Sequence, residues 1–468
     1  MTKLMDIRGT EEAEPPYATT RNACKLCAPL GASVVFKGIQ GCLPMIHGSQ
    51  GCATYIRRYM ISHYKEPVDI ASSNFSEETT IFGGNKNFNA SIQNIIGQYH
   101  PEAIGIASTC LSETIGEDVS RLIREFASVN SDAPLPVLIS ASTPSYQGSH
   151  MDGFHEAVAS VIASLAERGE TGTHITLFPG FVSPQDIRHL KDIVAEWKME
   201  CIVFPDYSDP LDNPSWDEYK LISDGGTPIR NIRRTGSARA SIEFGYVFNT
   251  GKYQGSTKKN MGTGGDWLEN QCGVPTHKLG MPIGINETDR FFALLESLSG
   301  KPIPERYRLQ RGRLIDAYVD GHKYLFGKRA IVYGEEDFVI GLVSFLSEIG
   351  IETVLVTSGG TSGVLKELIP RITNSSTVRI MDGSDFETMN ELADGLHPDI
   401  MIGNSKGYYI ARRLNIPLVR VGFPIHDRVG GQRLQHLCYE GTHHLFDRIT
   451  NALIEYKQDN SPVGYKYI

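Results

Sequence analysis

Short apolar runs recur along the chain, and most are followed by a stretch in which apolar residues return every three or four positions. AIGIAST (103–109) and PVLISAST (136–143) are rich in small and β-branched residues and predict buried strands. SETIGEDVSRLIREFA follows the first of them, so strand, turn and helix succeed one another as half of a βαβ unit. Ser112, with acidic residues close by, offers N-cap chemistry for that helix. YIRRYMISHYKE, after Thr54, is amphipathic and predicts another helix. From Thr173 the strands HITLFPGF and CIVFPDY flank the helical PQDIRHLKDIVAEW, and GGTPIRNIRRTGSARASIEFG suggests turn, helix and strand. From Lys328 the strand RAIVYG leads into the helix EDFVIGLVSFLSEIG. ETVLVTSGG, TVRIMDG, PDIMIGNS and IPLVRVGFP predict further strands. Alternation of this kind predicts parallel, doubly wound sheets.

The chain's 468 residues exceed one ordinary core, and domains of about 150 residues imply three of them. The expected architecture is α/β, with three Rossmann-like domains of mostly parallel sheet. Their expected bounds are 21–172, 173–327 and 328–468, the last with a C-terminal tail. Residues 1–20 form an arm in which Pro15-Pro16 blocks a helix. A net charge of −9 argues against a duplex nucleic-acid partner. No run of about 18 apolar residues predicts a membrane span, and the polar N-terminus has no apolar signal core. A cytoplasmic location is therefore expected. Disulfides are rare in that compartment, so clustered cysteines read first as metal ligands or reactive thiols.

Four of the eight cysteines lie between Cys24 and Cys52. Cys27 (CAPLGAS) and Cys52 (GSQGCAT) sit beside glycine and other small residues. Cys110 follows a strand directly, and Ser145 lies at the equivalent place after PVLISAST. Ligands of open α/β sheets bind at the carboxyl ends of strands. Glycine there lets backbone approach a bulky group and aims amide N–H groups at an anion. An iron–sulfur core is such a group. Cys24-x-x-Cys27 could begin a zinc ribbon, but no second C-x-x-C follows. Cys201, Cys272 and Cys438 suit small buried hydrophobes, and His47 and His63 suit hydrogen-bonded structural roles. The loops GGNKN (83–87) and GNSKG (403–407) could bind anions, but neither is a P-loop, and the chain has no G-x-S-x-G or HExxH motif.

The run CAPLGA…HGSQGC-x-x-Y-x-R…H-x-x-EPV…FGG…STC-x-x-E-x-IG-x-D…TPS-x-x-GSH, continued by GKPIPE, RGRLIDA, PDIMIGNS, VRVGFP and YEGT, resembles the nitrogenase component-1 family, β-type subunit. The resemblance covers nearly all of the chain after residue 20. It implies that Cys27, Cys52 and Cys110 ligate half of a P-cluster of 8Fe–7S type, with Ser145 as a further ligand on oxidation. Gly31, Gly48 and Gly51 would let the loops close around it. It places Tyr55 near the cluster and Phe82 at the docking surface for an ATP-dependent iron-protein reductase. It further implies an α-type partner in an α2β2 heterotetramer, supplying the other ligands and the substrate-reducing cofactor. Cys272, immediately before GVP, does not match an α-type cofactor cysteine, so no catalytic residue is assigned here. Cys24 and Cys42 remain bystanders.

Within the family, PERYRLQRGRL, PDYSDPLDNPSWDEYKLISDGGTPI and DRVGGQRLQ are similar to the N-type subunit of the cofactor-assembly scaffold. The complete cysteine set favours a redox-active P-cluster instead. A methylthio-alkane reductase, cleaving carbon–sulfur bonds reductively, reconciles the two and is the expected function. The alternatives are the scaffold subunit, with a 4Fe–4S cluster, and the β subunit of a dinitrogen-reducing nitrogenase. A pigment-biosynthesis reductase matches the motifs less closely.

Overall fold

A computed structural model describes residues 23–132, 134–247, 262–374 and 377–463. The arm expected at 1–20 lies outside them.

Among the described residues thirteen strands form three sheets, and every strand pairing within them is parallel. The first contains β1 (Cys42–His47), β2 (Ala71–Ser72), β3 (Ala103–Ser108) and β4 (Val137–Ala141), in the order β2-β1-β3-β4. The second contains β5 (Ile175–Phe178), β6 (Cys201–Val203), β7 (Ala240–Phe244) and β8 (Thr276–Leu279), in the order β6-β5-β7-β8. The third contains β9 (Arg329–Tyr333), β10 (Glu352–Thr357), β11 (Arg379–Met381), β12 (Ile400–Gly403) and β13 (Leu418–Arg420), in the order β11-β10-β9-β12-β13. Connections turn back between β1 and β3, between β5 and β7, and between β9 and β12. At such switch points the loops separate above the carboxyl ends of two neighbouring strands and leave a crevice. The three sheets share one apolar core that runs from Leu26 to Leu453.

Strand β1 carries Pro44, which disfavours a central strand because it lacks an N–H. The ladder tolerates it because β2 pairs only with Met45 and Ile46. On the other side β3 matches β1 over its whole length, His47 lying opposite Ser108.

Helix α1 (Ala28–Lys37) precedes β1, and all ten of its residues are buried. It is apolar nearly all round, as a helix enclosed on every side must be. After β1 come α2 (Gln50–Tyr64), α3 (Glu77–Phe82) and α4 (Asn85–Tyr99). The helix expected after β3 is two: α5 (Cys110–Thr114) and α6 (Val119–Val129). Gly116, with φ +78°, turns the chain between them, and Asp118 caps the second. Ser112 is not the N-cap of α5. Thr109 is, and Ser112 sits three residues on, closing a capping box in which each side chain takes the other's backbone N–H.

Helix α7 (His150–Leu165) crosses α1 at backbone contact. A Cβ on Gly31 would overlap the His150 carbonyl oxygen and stand 2.6 Å from the Phe154 nitrogen; one on Gly153 would overlap the Ala28 carbonyl. Gly31 therefore belongs to a helix crossing. The expected closing loop around a ligand is not where it lies.

Candidate metal centre

The segments expected to be cluster loops are helix N-termini. Cys27 is the N-cap of α1, with extended backbone and Pro29 in the first turn. Cys52 lies in the first turn of α2, whose N-cap Ser49 accepts the Gly51 N–H. Cys110 opens α5 behind Thr109. The first turns of α1 and α2 carry no acidic side chain. The partial positive charge of a helix N-terminus attracts an anionic group placed there.

Cys52 and Cys110 come from the two strands that flank the first switch point, β1 and β3. Thr109 ties those strand ends together, its hydroxyl donating to the His47 carbonyl at 3.2 Å. A Cβ on Gly48 would run into the Thr109 side chain, so glycine at 48 is what lets the Cys110 turn come this close. Ser145 joins the other two strands of chain: its N–H donates to Cys110 Sγ at 3.2 Å, and its Oγ accepts the Ala28 N–H at 3.0 Å. Behind Cys27, the Leu26 N–H donates to His150 Nδ1 at 3.3 Å and the Leu26 carbonyl accepts the His150 N–H at 2.9 Å. The other ring nitrogen of His150 stands 3.1 Å from Glu335, in the third sheet's half of the molecule.

Burial pushes the Cys27 and Cys52 thiols up from their ordinary range. Ser145 and the lysines Lys25 and Lys406 oppose this at Cys27, while Cys110 reinforces it. At Cys52 the neighbouring Cys27 and Cys110 reinforce it. Negative charge at Cys27 and Cys52 would thus meet repulsion from neighbouring thiols' charge, which bound iron would cancel. Among the described residues, no group of three His, Cys, Asp or Glu side chains converges on a single metal ion. Soft donors on separate helix ends, with two of three exposed, suit ligands to different irons of a larger core. The donor set thus fits an iron–sulfur cluster.

The remaining cysteines are elsewhere. Burial pushes Cys24, Cys42 and Cys201 up to about 12, and Cys438 also rises with burial. Cys272 is partly buried at the end of a turn before Gly273. His63 is buried, and its Nδ1 accepts the Ile425 N–H at 2.8 Å. His47 is enclosed edge-on between Phe75 and Phe88, its Nε2 3.7 Å from Glu117. The GGNKN loop already holds an anion, the Glu117 carboxylate, on the Gly84 N–H at 2.6 Å.

Gly51 differs from Gly31 and Gly48: a Cβ there would meet only Ser49 Oγ, at 3.6 Å. Tyr55 stands one turn beyond Gly51, partly exposed, with its ring 4.8 Å from that of Tyr59. Phe82 ends α3 at 81% exposed, beside an equally open Ile81. Exposed Tyr146 follows Ser145. Tyr55, one turn from Cys52, and Tyr146, next to the Ser145 that touches Cys110, thus set exposed aromatic side chains beside the exposed thiols. Tyr146, His150 and Lys406 were not singled out in the sequence. Only the first could have been, as an aromatic next to a candidate ligand.

A profile of the nitrogenase component 1 type oxidoreductases matches residues 27–454. The nitrogenase molybdenum-iron protein beta chain of Clostridium pasteurianum is 36% identical over 440 residues, 93% of each chain. That of Methanothermobacter thermautotrophicus is 33% identical, covering 92% of this chain and 94% of its own. Among solved structures, a chain of nitrogenase Cp1 at pH 6.5 superposes with a TM-score of 0.91 at 33% identity, covering 98% of both chains. A chain of nitrogenase Cp1 at pH 5 shares the fold alone, with a TM-score of 0.66 at 14% identity.

Proposed function

The chain belongs to the nitrogenase component 1 family as a β-type subunit, and from that premise we propose that it holds half of a P-cluster and relays electrons from an iron-protein reductase to the catalytic cofactor of an α-type partner in a heterotetramer. The observation that carries this is the placing of Cys27, Cys52, Cys110 and Ser145 on adjoining helix and strand ends, tied by the Ser145 hydrogen bonds. When bound, an iron–sulfur core supplies one-electron chemistry at low potential.

The chain's own residues do the rest. Cys27, Cys52 and Cys110 would hold the irons as thiolates, each stabilised by the N-terminus of its helix. Ser145 keeps its N–H on the Cys110 sulfur, damping the charge on that ligand. Its hydroxyl, which accepts the Ala28 N–H, would offer the oxidised cluster a fourth, oxygen ligand from this chain. Tyr55 and Tyr146 exclude water at the rim once the α-type partner covers them. Phe82 and Ile81 offer the reductase an apolar foothold on the same domain.

The names of the relatives support dinitrogen as substrate, which shifts the preference away from the methylthio-alkanes favoured by the sequence motifs. The segments at 205–229 and 304–314 are similar to scaffold N-type chains, and together with the complete cysteine set they support a second reading, a carbon–sulfur reductase without the usual molybdenum-type features. The test purifies the complex with its α-type partner and records iron content and EPR for wild type and Cys52→Ala. Unchanged iron and unchanged signals would overturn the assignment. Turnover with the cognate reductase, given dinitrogen and methylthio-alkanes separately, then decides the substrate. Transfer of a cofactor precursor to an apo-nitrogenase without turnover of either would make the chain a scaffold subunit.

A further inference from the structure

The segment that delivers Cys27 lies across the third domain. The Cys24 N–H donates to the Ser384 carbonyl at 3.1 Å, and Ala23 bridges Asp385 in antiparallel fashion. Lys406 clasps the same segment from the carboxyl end of β12, beside the switch point of the third sheet. Its Nζ donates to the Ala23 carbonyl at 3.1 Å and stands 5.9 Å from the centre of the Tyr59 ring, which in turn packs against Tyr55. Asn404 fixes the base of the lysine by accepting the Lys406 N–H at 3.1 Å. Lys406 has no carboxylate within ion-pair distance among the described residues, and it is half-buried. A positive charge with a carbonyl and a ring for partners keeps a field that solvent and the nearby Asp385 carboxylate only partly offset.

We propose that Lys406 is an electrostatic tuning residue, a cation supplied by the third domain that raises the reduction potential of the cluster on its Cys27 side. This rests on the assignment of Cys27 as a cluster ligand. The direction follows from charge alone. Each added electron makes the cluster more negative, and a nearby fixed cation stabilises that form. Lys406 holds the Ala23 carbonyl, four residues before Cys27. Lys25 lies nearer in sequence, but on the ligand's own segment. Lys406 comes from a position hundreds of residues from Cys27, so the alignment of the third domain against the first sets how strongly it acts.

The experiment is an EPR-monitored redox titration of the complex with its α-type partner, for wild type, Lys406→Gln, Lys406→Arg and Lys406→His. Glutamine can still donate to the Ala23 carbonyl but carries no charge, so it separates the field from the clasp. The expected result is a midpoint that falls in Lys406→Gln, by about a tenfold change in the oxidised-to-reduced ratio at a fixed poise, equal to about 59 mV for one electron. Lys406→Arg should keep the wild-type value. A Lys406→Gln complex with full iron and an unmoved midpoint would overturn the proposal while leaving the cluster assignment intact. A wild-type complex without a redox-active cluster would overturn both. Should Lys406→Gln lose its iron, Lys406→His provides both charge states in one protein, charged below about pH 6.5 and neutral above. Its midpoint should climb on acidification beyond the wild-type trend, and a parallel trend would sink the idea.

Discussion

The Ser145 amide donates to Cys110 Sγ at 3.2 Å while the hydroxyl of the same residue accepts the Ala28 N–H at 3.0 Å. One serine therefore binds two of the three ligand-bearing turns together.

Replacing Ser145 by alanine leaves the contact to Cys110, which is made by backbone, and removes the acceptor of the Ala28 N–H. Ala28 is buried, so that amide is left unpaired at a cost of about 1–2 kcal/mol. Urea unfolding of Ser145→Ala should show this loss. EPR of the oxidised complex should change while the reduced complex keeps its iron.

Gly31→Ala and Gly153→Ala should each be severe. Both side chains would enter the backbone of the facing helix, and such overpacking costs about 3 kcal/mol or more where neither helix can retreat. Soluble yield and thermal melting report it. A variant that melts like wild type would show that α1 and α7 can separate without penalty.

The legibility of the sequence follows from the same geometry. The strands were readable because parallel strands buried on both faces are continuous apolar runs, as AIGIAS and CIV are. CLPMIH was not read as a strand, because Pro44 argues against one and only the shortness of β2 admits it. Glycines near a cysteine suggested loops around a ligand. The true requirements are a helix crossing at Gly31 and a close strand-end contact at Gly48. A cysteine as N-cap has no distinguishing sequence mark, since Ser, Thr, Asp and Asn are the usual signals. Lys406 was quoted only within GNSKG, because nothing local connects it with residues near position 23.

Acid should loosen the fold through its buried imidazoles. Burial lowers the pKa of His63 to about 3, and His155 likewise to about 3. An unfolded chain binds these protons near pH 6.5. Stability from the neutral rings is thus complete above about 6.5 and is lost as pH falls toward 3. Between pH 7 and pH 5 His63 alone should account for about 2 kcal/mol. His63→Gln keeps an acceptor for the Ile425 N–H and cannot titrate, so its urea midpoint should fall less over that interval than the wild-type midpoint does.

Phe82→Ala should leave stability within about 0.5 kcal/mol, since the ring is 81% exposed and packs on little of its own chain. Iron content and EPR should match wild type. Reductase-dependent turnover should drop about tenfold or more, and titration with the reductase should show the drop as weaker docking. Unaltered turnover at limiting reductase would remove Phe82 from the docking face.

The clasp between Lys406 and Ala23 joins positions 383 residues apart. A ribosome releases the N-terminal segment first and the third domain last. The hold on Ala23 therefore forms only when nearly the whole polypeptide has been made, whereas Cys27 itself is fixed earlier by first-domain contacts at Leu26 and Ala28. A chain cut short by premature termination would bring Cys27, Cys52 and Cys110 together without the Lys406 charge beside their approach.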